Sequence, residues 1–482
     1  MNKKDLLSHA SRGVVWTLGS SISVLALSLL TQVVLGWYLD ERDFGVYAFA
    51  IAYADVVRVF RGSGLTSWLS RLTSEEFSEA SGEAFWLSLG LSLLTAAVLL
   101  VVAWPIGWVY REPQVPRLLA IIAISIPLSA YAPLGLAKLQ VDLKFKQISA
   151  VKFASAVVRY GLVILCSYWG WGAYSLAVPM VLVSLFQTVI FIGLTRIYPW
   201  RKAPQLRLMR QLFGLSKWSS AGALATAVLR QIDYAVYGLF APTAIVGIYF
   251  FAYQLTMQPV LLFSESLRSV VLPVFHRVAG QEGSQRRGLE LSATFLGMVA
   301  GPAMILLSVL MPDLEACLWN GRWQAAVPCI QILAVVMPWQ LTAFFVEMLV
   351  QSRGHFGLWT SVIFFRGLGF GIAAGIGAQL GGQSRPEIVA LCIAVYIVVA
   401  SLVEVLFLFR AIELPWSTFF ARLIPPYLLA AIAGLLAAGA LKQGWVGSAL
   451  SLRLVGAVLG YSAVLLAAYL LLLRAAFRDL WT

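Results

Sequence analysis

Apolar runs of roughly 20 residues follow one another along almost the whole chain, separated by short connections in which Lys, Arg, Gly and Pro collect. A helix rises about 1.5 Å per residue, so each run is as long as the hydrocarbon core of a bilayer is thick. In hydrocarbon every backbone N–H and C=O needs a partner within the protein, which leaves the helical bundle as the structure such runs can build. The sequence therefore predicts an all-α polytopic membrane protein of about 14 transmembrane helices.

The charge pattern agrees. Only 12% of the 482 residues are charged, roughly half the fraction of a soluble globular chain. The net charge of +13 might suggest nucleic acid in a soluble protein, but here loop lysines and arginines supply most of it, so nucleic acid binding is rejected. Basic residues outside the runs number 21 on the side of the N terminus and 7 on the other. The positive-inside rule then places both termini in the cytoplasm, in a cell inner (plasma) membrane. Lys3 and Lys4 precede an apolar run at 13–39 that is too long for a signal peptide, so it is expected to stay as the first helix. Tryptophans near the run limits, among them Trp37, Trp108, Trp169, Trp171, Trp200, Trp319, Trp323 and Trp416, read as an interfacial belt.

The four cysteines form no CxxC, and His9, His276 and His355 fall in the N-terminal tail or in connections, so neither metal nor cofactor is expected. Cys317 and Cys329 lie near one membrane face; free buried thiols are the expectation there.

The spans repeat. At an offset of 202 residues, Gly45/Gly247, Tyr47/Tyr249, Phe49/Phe251, Ala50/Ala252, Leu65/Leu267 and Ser67/Ser269 coincide. At an offset of 211, Pro127/Pro338, Gln140/Gln351 and Phe145/Phe356 do. Six spans per repeat keep the same orientation, which implies two six-helix lobes related by a pseudo-two-fold axis along the membrane normal. The division expected is an N-terminal lobe at 1–199, a basic cytoplasmic linker at 200–212, a second lobe at 213–411 and two additional helices at 412–482.

Seven basic residues fall inside the apolar runs and need a physical reason to be there. The second run, at about 44–70, carries Asp55, Arg58 and Arg61, which drift by only about 60° per step and so share one sector of a helix. A charge at mid-bilayer costs about 2.5 kcal/mol or more, so that sector faces protein or water. Asp55 and Arg58 are spaced to neutralise each other, whereas Arg61, next to Gly62-Ser63-Gly64, is left as the sharper candidate for a ligand. Lys152 and Arg159 on the fifth run complete a first lobe with four embedded bases against one acid. Lys152 lies near a helix end and is placed to snorkel; Arg159 is deeper. The second lobe holds Arg230, Arg268 and Arg366 against Asp233, Glu265, Glu347 and Glu404. Arg230 with Asp233, and Glu265 with Arg268, are spaced as self-satisfied pairs. A cavity lined by guanidinium groups suits an anionic substrate, because the planar fork matches phosphate oxygens.

Several stretches carry a family resemblance: a short basic tail before the first helix, DFGVYAFA at the second, LKFKQISAVKFASAVV around the fifth, GWGAYSLA before the sixth, and VGIYFFAYQLTMQPV followed by SLRSVVLPVFHRV at the eighth. Over about residues 8–410 the chain resembles the oligosaccharide flippases of the polysaccharide transporter family, within the multidrug/oligosaccharide/polysaccharide (MOP) exporter superfamily. The resemblance implies a central cationic cavity and inversion of an undecaprenyl-diphosphate-linked oligosaccharide, the repeat unit of a surface polysaccharide, by alternating access. It implies as partners that lipid-linked substrate, membrane lipids and a polysaccharide polymerase or export machinery. In the related lipid II flippases, arginines of the second and eighth helices are linked to the diphosphate; Arg61 and Arg268 occupy those helices here, although Arg61 aligns with Phe263 and Arg268 with Thr66. The substrate-binding candidates are thus Arg58, Arg61, Arg159, Arg268 and Lys152, and the coupling or charge-pairing candidates Asp55, Asp233, Glu265, Glu347 and Glu404. A multidrug/cation antiporter is the alternative, disfavoured by the single acid of the first lobe. A membrane-embedded glycosyltransferase or polymerase is disfavoured by short connections and the lack of a DxD motif.

The topology is testable with single cysteines at positions 205 and 382 in a cysteine-free background. An impermeant thiol reagent added to whole cells is expected to label Gly382→Cys and spare Gln205→Cys; the reverse pattern inverts the orientation.

Overall fold

A computed structural model describes residues 3–59, 65–201, 206–277, 290–352, 356–411, 416–442 and 450–472. The regular structure among them is helical. In chain order the helices are α1 (Lys3–Tyr38), α2 (Glu41–Arg58), α3 (Leu65–Leu69), α4 (Ser74–Val109), α5 (Gln114–Leu128), α6 (Ala132–Val141), α7 (Phe145–Tyr168) and α8 (Tyr174–Thr195). After a short 3₁₀ turn come α9 (Leu206–Tyr237), α10 (Thr243–Arg277), α11 (Glu290–Trp319), α12 (Val327–Ser352), α13 (Phe356–Gly381), α14 (Pro386–Ala411), α15 (Trp416–Lys442) and α16 (Leu450–Leu472).

Eleven of the described helices are long and apolar enough to cross a membrane, or twelve when the bent pair α5–α6 counts as one span. The protein is a multi-pass membrane protein. The expected second span corresponds to α2, a helix too rich in charge to meet that standard, with Glu41, Arg42, Asp43, Asp55 and Arg58, and the expected seventh to α9. The expected fourth span is broken, its two pieces meeting at 40°. Pro127 lies in the last turn of α5 and Pro133 in the first turn of α6, and neither has an N–H to carry the helical ladder across. The Ser129 hydroxyl donates to the carbonyls of Ser125 and Ile126 at the bend.

Local chemistry sets other boundaries. Asp40 and Asp43 form a reciprocal capping box at the start of α2, and Thr73 and Glu76 do the same for α4. Asp43 also accepts the backbone N–H of Ala173 at 2.9 Å. That contact needs Gly172, because a Cβ there would meet the Asp43 carboxylate at 2.6 Å and φ is +55°. In α11 the residues Leu296–Ala300 widen into a π turn just before Pro302, whose missing N–H removes a helical bond. Two tyrosines of α16 cover the loosened backbone, Tyr461 donating to the carbonyl of Pro302 and Tyr469 to that of Gly297.

The chain divides into two compact units, Met1–Phe250 with Ile363–Gly371, and Phe251–Val362 with Ile372–Thr482. This packing division cuts the chain at other points than the sequence repeat does. In the first unit α2 is central. It packs on α4, α5, α8 and α9, and every residue from Phe44 to Ala54 except Tyr53 is buried. In the second unit α12 packs along α14, and α11 along α12, α15 and α16; Tyr427, Ala430, Ala433 and Tyr461 form part of its core. Trp37, Trp108, Trp169, Trp171, Trp200 and Trp416 are exposed, as a belt requires. Trp319 and Trp323 are not. Both are core residues of the second unit, Trp323 stacking on Phe251 with ring centroids 3.9 Å apart. Cys317 is exposed and Cys329 buried, and both are free thiols.

The repeat has a structural counterpart within the first unit. Gly45 of α2 and Gly247 of α10 occupy equivalent positions in the repeat, and they meet. A Cβ on Gly45 would lie 1.9 Å from the carbonyl oxygen of Thr243, and a Cβ on Gly247 would lie 1.7 Å from that of Glu41. Backbone touches backbone here, and no side chain can yield. Gly45→Ala and Gly247→Ala are each expected to destabilise the purified protein by about 1–3 kcal/mol, read as a fall in Tm. Gly90→Ala, with open space around it, is expected to leave Tm unchanged or raise it, since alanine favours the helix by about 0.5–1 kcal/mol.

Candidate functional site

The charged sector of α2 opens on a half-buried cluster inside the first unit. Asp55 and Arg58, one turn apart, form an ion pair at 3.2 Å, their side chains 36% and 26% exposed. The second carboxylate oxygen of Asp55 accepts from Nε2 of Gln231 on α9 at 2.9 Å. The other guanidinium nitrogen of Arg58 points at the Ser125 hydroxyl of α5 at 3.4 Å and at the Met180 sulfur of α8 at 3.5 Å. Four helices thus position one ion pair. Two charged groups held by a hydroxyl, an amide and a thioether are satisfied without being sealed from water.

Arg159 joins this cluster from α7. It is exposed, and it lies within reach of the hydroxyl of Tyr47, which also feels the charges of Asp55 and Arg58. Arg159 sits near the middle of α7, where an unpaired charge against lipid is costly. Counting Asp55, Arg58 and Arg159, the described cluster carries a net single positive charge, formed by two guanidinium groups and one carboxylate.

Toward the start of α2 the first unit is tied by polar contacts. The buried Glu112 accepts from Arg42 at 2.7 Å and from the Thr243 hydroxyl at 3.0 Å. The Tyr53 and Tyr110 hydroxyls share a 2.7 Å hydrogen bond, and Tyr110 donates to the carbonyl of Ala235 on α9. Phe49 stacks on Tyr110 with ring centroids 4.2 Å apart. These contacts tie α2 to the α4–α5 connection, and that connection to α9 and α10.

The remaining candidates fall elsewhere. Lys152 is exposed near the beginning of α7. Asp233 is fully buried and accepts the hydroxyl of Tyr249 at 2.9 Å. Arg230, the partner that sequence spacing offers it, is exposed; the i,i+3 rule fails there because the two side chains leave α9 toward different surroundings. Glu404 is buried on α14 in the second unit. Arg61 lies outside the described residues. So do the side chains of Glu265, Arg268 and Glu347, although their backbone belongs to α10 and α12.

Gln231, Ser125, Met180 and Tyr47 were not singled out by sequence reasoning. Gln231 carried the clearest signal, an amide within an apolar stretch two residues before Asp233. Neutral polar side chains give no charge pattern to read, and which of them meet is decided by helix packing. Among the described residues, no three His, Cys, Asp or Glu side chains come together as a set that could hold a metal ion.

Residues 34–328 match the family described as "Polysaccharide biosynthesis protein". The chain is 24% identical over 361 residues to the teichuronic acid biosynthesis protein TuaB of Bacillus subtilis (strain 168), covering 74% of this chain and 73% of the relative. A solved structure of the lipid II flippase MurJ in an inward closed conformation has a TM-score of 0.76 at 14% identity, covering 96% of this chain and 99% of that one. An inward-facing multidrug resistance MATE family transporter of the MOP superfamily has a TM-score of 0.56 at 14% identity, over 83% of this chain and 94% of that one. The fold is that of MOP-superfamily transporters, and the chain belongs to the polysaccharide biosynthesis protein family.

Proposed function

We propose that this protein flips an undecaprenyl-diphosphate-linked oligosaccharide across the inner membrane, both termini lying in the cytoplasm, by alternating access between the lobes 1–199 and 213–411, with 200–212 as the linker. The observation that supports this reading is the charged cluster beside α2, where Arg58 and Arg159 stand against a carboxylate that is already paired. A diphosphate offers oxygens in the geometry a guanidinium fork binds, and it carries the charge that makes crossing a bilayer unfavourable. Arg61 and Arg268, on the second and eighth spans of the repeat, are proposed to extend the same cationic lining.

The chain carries out no covalent step in this reading. The oligosaccharide crosses as it was bound, and work is done by exchanging which side of the site is open. A cation antiporter needs a free carboxylate facing its substrate. Asp55, the acid that the apolar runs of the first six spans place beside Arg58, is engaged by Arg58 and Gln231, which favours the anionic substrate. Asp233, Glu265, Glu347 and Glu404 are proposed as coupling or charge-pairing groups, membrane lipids as the surroundings, and a polysaccharide polymerase or export machinery as the downstream partner.

The test is complementation of a flippase-deletion strain, scored by surface polysaccharide, with protein level checked by immunoblot. Arg159→Ala is expected to reduce export by about tenfold or more at normal protein level, the loss of a charge-assisted hydrogen bond of about 1.5–3 kcal/mol. Arg159→Lys is expected to restore it only partly, because an ammonium lacks the bidentate fork. Asp55→Ala/Arg58→Ala is expected to stay inactive; recovered export in that double variant reduces the pair to a structural one. Normal export from Arg61→Ala and Arg159→Ala together removes the arginine anchor.

A further inference from the structure

In the second unit a pocket of 480 Å³ opens where α11, α12, α15 and α16 come together. Flipping as proposed makes no use of it. Its walls are apolar over most of their length: Ile305 and Val309 of α11, Val335 of α12, and Ala431 and Ala438 of α15. Along α15 the small residues Ala431, Gly434 and Ala438 recur on one face, leaving a slot beside α11. Gly434 marks its narrowest point, where an added Cβ would come within 2.7 Å of Ile305.

The slot ends in charge. Asp313 near the end of α11 and Arg453 in the first turn of α16 line it and pair at 3.3 Å. The polar groups halfway along are already satisfied: Ser308 donates to the carbonyl of Gln331, and the Gln331 amide donates to that of Ser308, both at 3.0 Å. Arg453 is not. Its Nε is buried and has no hydrogen-bond partner, although the side chain as a whole is 34% exposed. A buried guanidinium N–H calls for an acceptor, and the acceptor that matches its fork is a phosphate or carboxylate.

The surroundings decide which. A crevice on the apolar face of a transmembrane bundle is filled by the hydrocarbon around it. The cation stands where α15 ends and α16 begins, as the first residue of the apolar span Arg453–Leu470, with Leu441 beside it. The volume lies within the range of small-ligand sites, about 300–1,000 Å³, which suits one chain of a diacyl lipid and is small for a long polyisoprenoid. We propose that this pocket is a selective site for an anionic membrane phospholipid, one acyl chain lying along the alanine face of α15 and the headgroup phosphate accepting from Arg453. The lipid so held joins α15 and α16 to α11 and α12. This inference stands apart from the flipping reading, since binding and stability report on it without export.

Native mass spectrometry of the full-length protein in detergent, titrated with phosphatidylglycerol or phosphatidylcholine of the same chains, tests it. The unaltered protein is expected to retain one phosphatidylglycerol about fivefold more tightly than phosphatidylcholine and to gain Tm on binding it. Asp313→Asn/Arg453→Gln, which leaves no lone carboxylate behind, is expected to bring the ratio to near unity while the lipid-free Tm stays unchanged. Ala438→Phe, or Val335→Phe if the first variant does not fold, fills the slot and is expected to abolish retention of both lipids there. Equal retention by the unaltered protein, or a preference that survives the double variant, overturns the proposal. Displacement of phosphatidylglycerol by an equal concentration of undecaprenyl phosphate also overturns it, by assigning the slot to an isoprenoid tail.

Discussion

Hydrocarbon does not solvate charge, and the arrangement of the first unit follows from that. Helix α2 carries too many charged side chains to face lipid, so other helices enclose it on every side that matters. Glycine allows the closest of these approaches. With hydrogen in place of a side chain at Gly45 and Gly247, the backbones of α2 and α10 come into contact, and lipid has no room to enter. The charges of α2 then face Gln231, Ser125, Met180 and Arg159 instead of acyl chains.

Enclosure alone leaves a charge uncompensated, and the cluster resolves this unevenly. Asp55 is satisfied twice, by a guanidinium and by an amide. Arg58 gives its second nitrogen to weak, long contacts with a hydroxyl and a sulfur, and Arg159 lies beside the Tyr47 hydroxyl. Acids are held firmly and bases loosely. A cluster built this way offers donors to an incoming anion and keeps its carboxylate occupied, the asymmetry on which the proposed phosphate site rests.

The last two helices are part of the fold of the second unit. The π turn before Pro302 interrupts the regular helix of α11, and Tyr461 and Tyr469 of α16 donate to the carbonyls of Pro302 and Gly297 beside it. Tyr427 of α15 reaches the carbonyl of Val335, and its ring lies where a side chain on Gly301 would stand. Small residues on one element and tyrosines on its neighbour recur through this region, because in lipid close packing and interhelical hydrogen bonds hold helices together. The slot between α11 and α15 is the place where this packing is incomplete.

What the sequence determined by itself was whatever depends on local composition: helical spans, from apolar runs and the need to satisfy the backbone in lipid, and the presence of embedded charge on α2. The i,i+3 spacing of Asp55 and Arg58 was enough to anticipate their pair, since both sit on one turn of one helix. Spacing misled at Arg230 and Asp233, and proximity to a span limit misled at Trp319 and Trp323, because burial there is decided by neighbours distant in the chain. Only the tertiary structure decided that Gln231 completes the shell of Asp55, that Arg159 reaches Tyr47, and that the repeat-related glycines face each other. Those facts are contacts between helices, and a periodicity read along one helix holds no information about which residue of another will meet it.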